Sequence, residues 1–136
     1  MATSGTPHEG VDNIIIDAYT GLQLILYTNA GNSLDRDSVL ADLVEPANVD
    51  ITVAPNGYAA ILLTGTWSSV NSVITYDHGT PDNPKFTNTG TTGSWDSCTG
   101  SAITDGTHIL HFKDFGTPIA LTLGGSLEID VSSVLT

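Results

Sequence analysis

The chain has 136 residues, with three Lys or Arg against fifteen Asp or Glu and a formal net charge of −12. Its fixed cations are Arg36, Lys85 and Lys113, too few for the basic stripe that follows a phosphate backbone, so nucleic acid and anionic membrane surfaces are excluded as expected partners. Only 13% of residues are charged and 40% are hydrophobic, which does not match the composition of a disordered chain, and a single folded domain over residues 1–136 is expected.

Residues 1–5 read as a short polar arm. Residues 6–20 read as the one N-terminal helix: Thr6, Pro7 and Glu9 make a capping box with proline at the first helical position. Val11, Ile14, Ile15, Ala18 and Tyr19 then recur at helical spacing, and Gly21 is placed to stop the helix. From residue 22 to 136 the pattern is that of strands. Leu22 to Tyr27 is strand-like and ends in the turn-rich Thr28–Asn32. Ser33 to Leu43 fits a short helix or a crossover loop, and Val49 to Val53 is a short run bracketed by Pro46 and Pro55. Tyr58 to Thr66 reads as a central strand with Trp67 at its end in the core. Ser68 to Ser72 is then a turn and Val73 to Tyr76 the return of a hairpin.

Residues 77–100 lack periodicity and read as a long irregular loop, of the sort that is often functional. Beyond it come Ile103, Ile109 to Lys113, Pro118 to Leu123, a Gly124-Gly125 hairpin turn and Ser126 to Val131. Thr is the commonest residue, and Gly and Pro punctuate the runs. The fold class is therefore mainly β, an antiparallel β-sandwich of about seven to nine short strands. Apolar runs such as Ala59 to Leu63 are too short to span a bilayer, and no basic region followed by an apolar run marks a signal peptide.

Reactive constellations are sparse. His108 and His111 are three apart, which in a strand puts them on opposite faces and away from a common ion. Asp35, Asp37 and Asp42 lack the order of a calcium loop and fit a solvated segment. Asp105-Gly106 fits a tight turn better than a catalytic triplet. Cys98 is the single cysteine, which excludes an intrachain disulfide framework; Asp96 beside it would raise its pKa, the wrong direction for a nucleophile. No nucleophile elbow, phosphate loop or dinucleotide fingerprint occurs. The expectation is a protein that is not an enzyme and has no cofactor or metal. A hydrolase reading would rest on fold analogy alone.

The succession of Leu22-Gln23-Leu24-Ile25-Leu26-Tyr27-Thr28-Asn29, Ala41 to Pro46, Asn56-Gly57-Tyr58-Ala59, Thr66-Trp67, Val73 to Tyr76 and Gly125 to Ile129 resembles small virion structural proteins of tailed bacteriophages. It departs from them in residues 77–100, which are longer and richer in Thr, Gly and Pro. The resemblance implies a capsid decoration or cement protein on the outer surface of the shell, made in the host cytoplasm. Its implied partners are the major capsid protein and further copies of itself, a trimer being favoured. The alternative is a tail, fibre or adaptor component, in which Trp95 would stack against a host-surface glycan. The candidate partner-facing residues are Pro7, Val11, Ile14 and Ile15 at the N-terminus, with Phe86 and Trp95 in the long loop. For Trp95 the competing role is packing onto its own sandwich.

Overall fold

A computed structural model describes residues 16–46, 57–80, 82–89 and 93–135. Most of the expected helix over residues 6–20, including its Thr6–Glu9 cap, and the Val49–Val53 run lie outside these. A helical turn, α1, covers residues 16–18, and Gly21 takes the positive φ of 65° expected of a residue that ends a helix. Eight strands follow: β1 (Gln23–Tyr27), β2 (Ile61–Leu62), β3 (Thr66–Val70), β4 (Val73–Asp77), β5 (Lys85–Thr87), β6 (Cys98–Thr104), β7 (Ile109–Ile119) and β8 (Ser126–Glu128). A 3-10 turn spans Leu40–Asp42, within the segment where a short helix or loop was expected, and a short helix, α2, spans Val131–Val134.

The fold is mainly β, and among the described residues every strand pair is antiparallel. The largest sheet has the order β2-β1-β6-β7, and the ribbons β3-β4 and β5-β8 stand apart from it. All three meet at one core. Leu22, Leu24 and Leu26 from the β1 run, Ile103 from β6 and Phe86 from β5 are buried together, with Trp67 and Tyr76 of the β3-β4 ribbon packed against them. This is a sandwich-like arrangement.

From Leu24 to Tyr27 β1 is an unbroken apolar run, because both of its faces are covered there. Ile25 and Tyr27 point away from the main core into a second, smaller one with Leu34 and Ala102. β6 lies beside it in the register Leu24↔Ile103, Leu26↔Ser101 and Tyr27↔Gly100. Its outer neighbour β7 continues as Ser101↔Lys113 and Gly100↔Asp114.

Several local expectations give way to longer-range pairing. The run from Tyr58 to Thr66 is not one strand of a hairpin: Ile61–Leu62 pairs with β1, and the hairpin begins only at Thr66. Trp67 therefore sits inside β3, half-buried, its ring centroid 4.8 Å from that of Tyr19 and 4.5 Å from that of Tyr76. The turn is Asn71-Ser72, both with positive φ (52° and 65°), the geometry of a two-residue hairpin loop.

Residues 77–100 are not one irregular loop either. They contain β5, the start of β6, and Trp95, whose N–H donates to the Leu121 carbonyl at 2.9 Å. β7 runs through Gly116 and Pro118 without the expected break, since a proline at a sheet edge interrupts no ladder. β8 does not fold back on β7 across Gly124-Gly125. It pairs with β5 through Phe86↔Leu127, and the loop is pinned instead by Gly124 N–H on Asn88 O at 2.9 Å.

Candidate functional site

A cleft of about 530 Å³ opens between the second half of β7 and the segment from β8 into α2. Cross-strand partners share a face, so Ser101 and Lys113 stand side by side on the wall of this cleft. Ser101 is only 1% exposed and its Oγ has no hydrogen-bond partner. Lys113 is exposed, and its Nζ donates to the Ser133 carbonyl at 3.0 Å. Apolar walls come from Phe115, Ile119, Leu127 and Val134.

Three carboxylates border the same cleft, each already engaged. Asp114 accepts from the Tyr27 hydroxyl at 2.5 Å and from the Asn32 N–H at 2.8 Å. Glu128 lies 3.8 Å from Lys85 Nζ. Asp130 caps α2 by accepting from the Ser132 N–H at 3.1 Å. Among the described residues neither histidine nor cysteine lines the cleft, and the polar group paired with Ser101 across the strands is Lys113.

The residues singled out for chemistry are used structurally and do not converge. Asp105 Oδ1 accepts from the Thr107 and His108 N–H groups at 2.8 and 2.6 Å, which forms the expected tight turn and holds its carboxyl down at about 2. His108 Nδ1 lies 3.1 Å from Asp105 Oδ2 at the surface. His111 Nε2 meets the Tyr19 hydroxyl at 2.6 Å, and burial pushes its pKa below the ordinary value.

Cys98 is buried, and that burial, with the Asp96 charge added, pushes its thiol up to about 11. Asp35 accepts from the Asp37 N–H at 2.9 Å and Asp42 from the Val39 N–H at 2.8 Å, so both carboxylates tie their own turns together. Among the described residues no group of three or more His, Cys, Asp or Glu side chains is placed to hold a metal ion.

The candidate partner-facing residues fare unevenly. Pro7, Val11, Ile14 and Ile15 lie outside the described residues. Phe86 and Trp95 are 2% and 1% exposed, which corrects their assignment as surface anchors. Tyr58 explains the burial of both: its ring stacks on Phe86 at 5.8 Å and meets Trp95 edge-on at 5.4 Å. Trp95 thus presents no ring face to a sugar.

Exposed apolar anchors lie elsewhere. Val70 and Val73 flank the β3-β4 turn as direct cross-strand partners and are 66% and 61% exposed. In the sequence they pass for hairpin filler around a polar turn, and only their pairing outside the main sheet brings them together on an open face. The Ser101–Lys113 pair is equally silent in the sequence, because it depends on the β6-β7 register. Comparison of the chain with protein-family models, with curated proteins and with solved structures returned no match.

Proposed function

We propose that this protein is a non-enzymatic structural component of a bacteriophage virion, a cement protein on the outer surface of the capsid that binds the major capsid protein and associates with copies of itself, as a trimer. The observation that carries the reading is the outer face of the β3-β4 ribbon. There Val70 and Val73 stand exposed at the tip, above the hydroxyl pair Ser68–Thr75, 2.6 Å apart. An apolar tip backed by short hydroxyl side chains suits a dry protein contact with little side-chain entropy to lose. The net charge of −12 supports an outward position, away from packaged nucleic acid. A glycan-binding tail or fibre component would need Trp95 as an exposed stacking platform, and at 1% exposure the ring gives that reading no support.

The test is to mix the purified protein with expanded, undecorated shells. Saturable attachment that raises the heat resistance of the shell is expected, and it should be lost in a Val70→Ser, Val73→Ser double variant. Absence of attachment by the unaltered protein overturns the reading.

A further inference from the structure

The cleft beside β7 has two features that the sandwich itself does not need. The first is the Ser101 hydroxyl, buried with no partner, whereas buried polar groups in folded proteins are nearly always bonded. The second is Lys113. Its ammonium has three N–H donors, its partner is the Ser133 carbonyl, and among the described residues no carboxylate pairs with it. The two are register neighbours on one face.

The carboxylates nearby do not answer this charge. Asp114 borders the cleft, but its carboxylate is engaged by the Tyr27 hydroxyl and the Asn32 N–H. Glu128 belongs to Lys85 and Asp130 to the first turn of α2. What remains is an ammonium with no ion-pair partner among the described residues and an unbonded hydroxyl, both lining a pocket walled by Phe115, Ile119, Leu127 and Val134.

We propose that the cleft between β7 and the β8–α2 segment binds an organic carboxylate carried on an apolar body. One carboxylate oxygen accepts from Lys113 Nζ and the other from Ser101 Oγ, while the apolar body lies along Phe115, Ile119, Leu127 and Val134. The pocket, at about 530 Å³, is within the range that small-molecule sites occupy. The carboxylate could belong to a free aliphatic or aromatic acid or to the C-terminus of a partner chain, and the chemistry at Lys113 and Ser101 is the same. This site does not depend on the capsid reading.

Calorimetric titration of the full-length protein with sodium octanoate, octylamine and octanol tests it. Octanoate is expected to bind saturably, one per chain, and octylamine not at all. Lys113→Met should weaken octanoate by about tenfold or more, Lys113→Arg should retain it, and Ser101→Ala, which only removes an unbonded oxygen, should weaken it several-fold in a folded protein. A peptide ending in leucine, offered as free acid and as amide, separates the sources. Competition by the acid points to a partner's C-terminus, and binding of octanoate alone points to a small molecule; either supports the site. Failure of octanoate to bind, equal binding of octylamine, or unchanged binding by Lys113→Met overturns it.

Discussion

Tyr27 and Gly100 face each other across the β1-β6 ladder, and the phenol of Tyr27 occupies the space that any side chain at residue 100 would need. The ring reaches past the glycine to place its hydroxyl on Asp114 of the next strand. A Gly100→Ala substitution therefore forces the ring or the ladder to shift and is expected to cost about 1–3 kcal/mol. Chemical denaturation with an unchanged slope and a lower midpoint would be the signature.

The Asn71-Ser72 turn points the other way. Ser72 has φ of 65°, a conformation that costs a residue with a side chain roughly 1–2 kcal/mol relative to the right-handed region. Ser72→Gly gives the Asn-Gly pair this turn geometry favours and is expected to raise stability by up to about 1 kcal/mol. Thermal melting measures it directly, and a fall in melting temperature would show that Ser72 earns its place through another contact.

Alkaline pH should unfold the protein. Burial is the main cause that raises Tyr27 and Tyr58 well above the ordinary value of 10.0, with hydrogen bonds to Asp114 and Glu45 adding to it. The folded state keeps these protons where the unfolded chain loses them, so the tyrosine contribution is full below pH 10 and declines beyond it. The buried Cys98 thiol, raised from 9.0 to about 11, starts the decline from about pH 9. His111 acts at the other end. Its pKa is lowered by burial from 6.5, so the unfolded chain binds the proton more readily and stability declines as pH falls below that value. Unfolding free energies measured from pH 4 to pH 12 should form a plateau between these limits, and tyrosine absorbance should show Tyr27 and Tyr58 ionising only as the fold is lost.

Cys98 should be inert in the native protein. With its sulfur fully buried and its thiol raised to about 11, the thiolate fraction near neutral pH is very small. A disulfide reagent at pH 8 is expected to label it only at the rate of unfolding, in step with added denaturant. Prompt labelling in native buffer would contradict the described burial.

Where local signals and final pairing agree, the sequence is a good guide. Leu22 to Tyr27 is bounded by Gly21 and a polar turn, and Asp105-Gly106 closes the connection between β6 and β7. It fails where a distant segment competes. Gly124-Gly125 advertises a hairpin, but Leu127 finds better burial opposite Phe86 than beside β7. Trp95 lies among Gly, Ser and Asp, a setting that leaves both a partner contact and packing onto its own sandwich open; it is buried because Tyr58 and Leu121 come to it from elsewhere in the chain. The two pairs on which the proposed contacts rest, Val70–Val73 and Ser101–Lys113, are products of register. Neither carries a composition or periodicity that would mark it out.

The pairing of β5 with β8 also has a consequence for how the protein is made. Phe86 is covered by Leu127, and Asn88 is fastened to Gly124 and Gly125, so the middle of the chain waits for its last quarter. During synthesis Phe86, Trp95 and the edge of β5 are exposed while β8 has yet to emerge, and a nascent or truncated chain offers sticky apolar surface at that stage. The growing chain would depend on chaperones at that stage, and truncation before residue 126 should give insoluble protein rather than a smaller folded domain.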